Sequence, residues 1–203
     1  MTAAITRDDL LLAHAAGTLA PPLDLLVSAH LRMRPEARRD YRLLLEIGGI
    51  LFEQLEPEAV SEDALTRLLA RLDGGEALRD PGRHDGDRAL SSPLPEALAC
   101  CLREPMARLS ALASSPVAWV PLQLPQAGCR LMGRLVRIRC GHALERHRHR
   151  GLELTLVLEG AYVDETGCYR RGDIEICDES IEHAPRAEGS CDCLCLSVAV
   201  EAT

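Results

Sequence analysis

Lysine and asparagine are absent from the 203 residues, and aromatics are scarce: one Trp, three Tyr and one Phe. All 23 basic side chains are therefore Arg, a mark of codon usage rather than of chemistry. With so few rings, any core must be built from Leu, Val, Ile and Ala. Basic charge is also short. The 31 acidic residues leave a formal net charge of −8, so the basic face of a nucleic-acid binder is not expected. No run approaches the roughly 18 uninterrupted apolar residues of a membrane span. The opening MTAAITRDDLLLAHAAGTLA carries two Asp where a secretion signal carries basic charge. The expectation is a cytoplasmic protein without membrane contact. In that reducing setting the nine Cys read as free thiols or metal ligands rather than bridges, and an odd number cannot all pair within the chain. No C-x-x-C, G-x-G-x-x-G, P-loop or G-x-S-x-G occurs, so zinc-ribbon, thioredoxin, dinucleotide, nucleotide and serine-hydrolase signatures are missing.

What is present divides into two halves. Residues 1–73 read as a small helical domain. Asp8 and Asp9 precede Leu10, Leu11 and Leu12 as a helix start, and Gly17 suits its end. Pro21–Pro22 mark a second start, with an amphipathic run from Leu23 to Met33. Pro35 opens a third helix through Tyr41, Leu44, Leu45, Ile47, Leu51 and Leu55, apolar positions recurring three and four apart. Beyond Pro57, Ser61 suits the cap of a fourth helix striped by Leu65, Leu68, Leu69 and Leu72. Residues 74–92, GGEALRDPGRHDGDRALSS, have the composition of a linker. The remaining segment, 93–203, opens with a short helical stretch within Leu98–Leu112. Beyond Trp119 it alternates apolar and polar residues in CRLMGRLVRIRC, LELTLVLEGAYV, GDIEIC and CDCLCLSVAV. Short alternating runs separated by turn residues predict an antiparallel barrel or sandwich. The fold class is α+β, in two domains.

The most informative stretch is GHALERHRHRGLELTLVLEG, with Gly141, His147, His149, Glu153 and Gly160 spaced G-x5-H-x-H-x3-E-x6-G. On a strand, residues of like parity share a face, so His147, His149 and Glu153 point one way while Arg146, Arg148 and Arg150 point the other. Two imidazoles and a carboxylate on one face are good ligands for a first-row metal. His183, at the end of GDIEICDESIEH, is positioned to join them from an antiparallel neighbour. Three His and one Glu suit zinc, iron, manganese or nickel. A surface H-x-H is the bland alternative, and the flanking glycines, the Glu and the later His count against it.

This spacing resembles the first motif of the cupin family. GLELTLVLEGAYVDETGCYRRGDIEICDESIEHAP followed by CDCLCL resembles the C-terminal domain of ChrR-type anti-sigma factors. AAGTL (Ala15–Leu19) and SAHL (Ser28–Leu31) resemble the same family's helical anti-sigma domain. The resemblance implies a two-domain cytoplasmic regulator of transcription. Its helical domain would hold a group IV, extracytoplasmic-function sigma factor inactive, while a cupin domain with one zinc on His147, His149, Glu153 and His183 senses stress such as oxidants. The segment before His183 reads CDESIEH, without the Pro-x-Gly that cupins often carry there. In the family's helical domain a His from the first helix region joins H-x3-C-x2-C around a structural zinc. Of these, only His30 is found here, with Arg34 and Ala37 at the two Cys positions and Ile5 at the upstream His. The helical domain is therefore expected to do without zinc and to rely on helix packing.

Cys191, Cys193 and Cys195 alternate and are expected to share a face, more in keeping with small thiols filling a barrel than with a redox cluster. Cys177, six residues before His183, lies closer to the proposed site and is a second candidate for a sensor thiol. Leu51, Phe52, Leu65 and Leu69 are candidates for contact with a sigma factor, the last helix most of all. The competing function is a cupin dioxygenase using iron on the same four ligands. A third is a metal-binding protein whose helical half only dimerises.

Overall fold

The computed structural model describes residues 5–73, 96–122 and 131–200. The expected linker 74–92 lies outside these, as do the side chains of Cys100 and Cys101. Helix α1 (Arg7–Ala15) starts one turn before its leucines. Thr6 accepts from the Asp9 amide while the Asp9 carboxylate accepts from the Thr6 amide, so Thr6 is the cap and Asp9 its reciprocal partner. Helices α2 (Pro21–Met33) and α3 (Pro35–Glu53) both open on proline, whose missing N–H belongs to the first turn and is not needed there. The three pack around Leu10, Leu11, Leu26, Val27, Ala29 and Ala37, all buried. His14 of α1, also buried, reaches Asp24 of α2 at 2.6 Å. Helix α4 (Ala64–Asp73) follows Ser61, whose carbonyl accepts from the Ala64 amide. It buries none of its leucines.

Helix α5 (Glu96–Ala111) leads into a sheet of five antiparallel strands in the order β1-β2-β10-β4-β7. These are β1 (Val117–Leu122), β2 (Leu131–Ile138), β4 (Leu152–Glu159), β7 (Ile174–Cys177) and β10 (Cys193–Val200). A second layer is made of β3 (His147–Arg148) paired with β8 (Glu182–His183), and of β5 (Ala161–Val163) between β6 (Cys168–Arg170) and β9 (Arg186–Glu188). The alternating runs predict an antiparallel barrel or sandwich, and the strands form the barrel that the cupin resemblance implies. Gly160 turns β4 into β5 at φ +70, and a Cβ there would strike the carbonyl oxygen of Asp192, so only glycine fits.

The large sheet is covered on both faces, which explains why β10 is buried almost throughout. Leu154, Leu156, Leu194, Leu196 and Val198 join one core with α5 and the N-terminal helices. Residues of the opposite parity, Val157, Cys193 and Cys195, pack with Ile138, Tyr162 and Ala187 inside the barrel. Cys193 and Cys195 thus fill the interior as small apolar side chains. Cys191 differs from expectation: it precedes the strand and is exposed. Arg137 of β2 donates to the carbonyls of Leu109 and Leu112, satisfying the end of α5 and fastening it to the sheet.

The helices meet the barrel at the end of α2. His30 donates from Nδ1 to the carbonyl of Gly172 at 2.6 Å, and Arg34 pairs with Asp173 at 2.5 Å. Gly172 has φ +90, and a Cβ on it would stand 2.9 Å from the Met33 Cβ, so the contact depends on glycine twice over. Burial draws the His30 pKa down, assisted by Arg7 and Arg34 and opposed by the Gly172 bond and Asp173. Residues 172 and 173 run directly into β7.

Candidate metal centre

The short strand β3 pairs with β8 in a register that sets His147 opposite His183, as the antiparallel-neighbour expectation requires. His149 lies just beyond β3, where the chain bends at Arg150–Gly151 before entering β4. That bend corrects the picture of one continuous strand. Glu153 belongs to β4 in the large sheet, whereas His147 sits in the two-stranded layer. The structure brings the three imidazoles together. One ring nitrogen from each lies within 4.8 Å of the others, and the ring centroids are 4.7–5.0 Å apart. His149 Nε2 and His183 Nε2 are only 2.9 Å apart.

Each ring is held through its other nitrogen. His147 Nδ1 donates to the Glu145 carbonyl at 2.8 Å, His149 Nδ1 to Glu153 Oε2 at 3.0 Å, and His183 Nδ1 to Asp164 Oδ2 at 2.7 Å. Carbonyl and carboxylate oxygens only accept, so these bonds put a proton on every Nδ1 and leave Nε2 for a ligand. Oriented imidazoles of this kind, backed by outer carboxylates, are the usual construction of a first-row metal site. Two Nε2 atoms 2.9 Å apart need a cation between them, either a proton or a metal ion. Nitrogens about 2.1 Å from a common ion are themselves roughly 3.0–3.4 Å apart, so the donor set fits one.

Glu153 stands slightly apart. Its Oε2 accepts from His149 and also pairs with Arg134 at 3.1 Å, and it is not among the groups whose ligand atoms converge. It nevertheless borders the same cavity, with His147, Thr155, Glu175, His183 and Ser197. Burial raises its carboxyl, but His149, Ser197 and Arg134 outweigh this and hold it below the ordinary value.

Behind His183 lies a buried acidic network. The Asp164 side chain is fully buried, and that of Glu175 is 2 % exposed. Glu175 accepts from Tyr162 at 2.5 Å and from Thr166 at 2.8 Å, and its Oε1 is 3.3 Å from His183 Nδ1. Burial alone lowers the basicity of His183, but hydrogen bonds and charge from Glu175 and Asp164 raise its pKa to about 9. Burial raises Asp164 as well, yet Glu175, Thr166 and His183 together take it down to about 2. Cys177 is buried with its Sγ 3.8 Å from His183 Nδ1. Burial and then the Glu175 charge push this thiol well above its usual range, away from the thiolate form that reacts. Cys195 is likewise pushed up, by its bond to Cys193 at 3.5 Å and by burial. The sequence singled out none of Asp164, Glu175 and Tyr162. Asp164 lies in DETG, which carries only the signal of a tight turn.

Residues 110–201 match the ChrR Cupin-like domain family. Over 197 residues the chain is 40% identical to the anti-sigma-E factor ChrR of Cereibacter sphaeroides, covering 94% of this chain and 86% of that protein. Among solved structures, it superimposes on the anti-sigma ChrR from the crystal structure of Rhodobacter sphaeroides SigE in complex with ChrR. The TM-score is 0.72 at 37% identity, over 97% of this chain and 98% of that one. The chain belongs to the ChrR family of anti-sigma factors.

Proposed function

We propose that this protein sequesters an extracytoplasmic-function (group IV) sigma factor through its helical half, residues 1–73, and reads stress through a metal centre in its barrel half, residues 93–203. One observation carries the first part. The helical half carries large apolar side chains without cover from the rest of the described chain: Ile50, Leu51 and Phe52 on α3, and Leu65, Leu69 and Leu72 on α4, each at least 50% exposed. A helix with all its leucines in water is poorly stabilised by itself, and such a stripe suits a partner. The related ChrR is bound to SigE in its crystal structure, which supports a sigma factor as that partner.

His147, His149 and His183 would hold the ion through Nε2; Glu153, the fourth expected ligand, would complete the set by releasing the His149 Nδ1 that it holds here. Zinc suits these ligands and the closed setting; iron, manganese and nickel suit the ligands equally. A divalent ion bound here would cross-link the two-stranded layer to the large sheet. His183 touches Glu175 on β7, and β7 begins at the Gly172–Asp173 turn that grips His30 and Arg34 of α2. A stress that strips or alters the ligand set frees His183, and the change reaches α2 through this strand.

The dioxygenase reading has less support. The cavity beside the imidazoles measures about 40 Å³, enough for an ion and a water but far short of a substrate pocket, typically about 300 Å³ or more. The test is co-expression with an extracytoplasmic-function sigma factor under anaerobic, metal-replete conditions. A stable complex that blocks transcription by the corresponding holoenzyme is expected. Absence of any complex, or oxygen uptake by the iron-loaded chain, overturns the proposal.

A further inference from the structure

The geometry points to Asp164 as the positioning residue of the metal centre, the group that fixes which nitrogen of His183 faces the ion. This rests on the metal-binding reading above and extends it to a residue outside the ligand set.

Asp164 sits in the turn between β5 and β6, and its two oxygens are committed differently. Oδ1 accepts from the amides of Thr166 and Gly167 at 2.8 and 3.1 Å, which builds the turn. Oδ2 accepts from His183 Nδ1 at 2.7 Å. Its side chain has no exposure to water, so no solvent molecule can replace it as acceptor. The backbone amides dictate the orientation of the carboxyl group, since both require an acceptor at the Oδ1 position. The remaining oxygen is thereby aimed at the ring, the Nδ1 proton is pinned, and Nε2 turns toward His149 Nε2 at 2.9 Å.

That asymmetry makes the Asp164→Asn variant informative. The two amides keep the Asn carbonyl oxygen at the Oδ1 position, so the turn survives. The amide –NH2 then falls where Oδ2 was and confronts His183 Nδ1–H donor to donor. The ring is relieved by moving its proton to Nε2, which removes the lone pair the ion needs. Glu175 Oε1, at 3.3 Å, is a longer and poorer substitute acceptor. Outer partners of metal-bound histidines commonly govern affinity by about 10- to 100-fold.

The experiment measures zinc affinity by competition with a chromophoric chelator on the full-length chain, and the visible absorption of the cobalt-loaded form. Wild type, Asp164→Asn and Thr166→Val are compared, with thermal unfolding of each in the presence of chelator. Thr166→Val removes a hydroxyl that bonds Asp164 Oδ1 and Glu175 but leaves Oδ2 on His183, so it reports disturbance of the turn and of Glu175 without loss of the Oδ2 bond. The expected result is zinc bound about 10- to 100-fold more weakly by Asp164→Asn with an altered cobalt spectrum, and near wild-type values for Thr166→Val. Equal affinity in Asp164→Asn and wild type overturns the inference while leaving the metal centre standing. Equal weakening in both variants also overturns it, by assigning the effect to the turn and Glu175 rather than to the Oδ2 bond. A wild-type chain that binds neither zinc nor cobalt instead removes the metal reading itself.

Discussion

The two halves of the molecule are built with opposite polarity. The helical half carries apolar residues on its outside, with Phe52 74% and Leu65 66% exposed. The barrel half hides polar groups inside: Glu153, Glu175, His183 and Ser197 are all buried. Either arrangement alone is costly, because exposed leucine forfeits burial and buried charge forfeits hydration. Each becomes reasonable once the missing companion is supplied, an apolar partner for the first and a cation for the second. Between them, the Gly172–Asp173 turn joins the half proposed to hold a partner to the half proposed to hold an ion.

The sharpest way to break this comparison is to place the same substitution in both apolar surfaces. Leu196 on β10 is buried on a sheet covered from both sides, so Leu196→Asp should cost more than about 4 kcal/mol and prevent stable folding. Leu69 on α4 is 50% exposed, so Leu69→Asp should change thermal stability by less than about 0.5 kcal/mol. The same variant should weaken sigma-factor binding at least tenfold in a titration, since it sets a charge in the docking face. If Leu69→Asp unfolds the chain and leaves binding intact, the outward leucines serve stability rather than a partner.

A smaller effect is expected at the junction. In Gly172→Ala the new methyl meets Met33 Cβ at 2.9 Å on a backbone at φ +90, a cost of about 1–3 kcal/mol read as a lowered Tm. Smaller still is a pH effect at His30, which faces Arg7, Arg34 and Asp173. Its folded pKa lies below the ordinary 6.5, so the unfolded chain takes up the proton first. Stability from this residue is therefore complete above about pH 6.5 and declines as the pH falls below it. Hydrogen-exchange protection at the last turn of α2, corrected for the intrinsic rate, should fall as the pH drops from about 7 to about 5.5. His30→Gln, which keeps a donor for Gly172, should flatten that response.

Much of this was legible in the amino-acid order, for definite reasons. Pro21 and Pro35 mark helix starts because proline lacks an N–H, and the four helices begin within a few residues of where those signals fall. His147 and His183 were matched across strands because a period of two leaves few alternatives. Three features were not legible. The Arg150–Gly151 bend sends Glu153 into another sheet, which parity counted along one strand does not foresee. Asp164 and Glu175 converge on His183 only after folding, and an Asp in DETG looks like any turn former. The His30–Gly172 bond spans 142 positions, beyond the reach of any local pattern. Arg34 and Ala37, at the positions where the resemblance implies cysteine, acquire a role only in the folded molecule. The first binds Asp173, and the second is buried in the helical core.

The account is tested most directly by metal content per chain, measured by elemental mass spectrometry on the full-length protein and two variants. One equivalent is predicted in the wild type, still one in His30→Ala, and none in the His147→Ala, His149→Ala double variant. Two equivalents in the wild type, or loss of metal on changing His30 alone, would contradict it by locating a metal in the helical half.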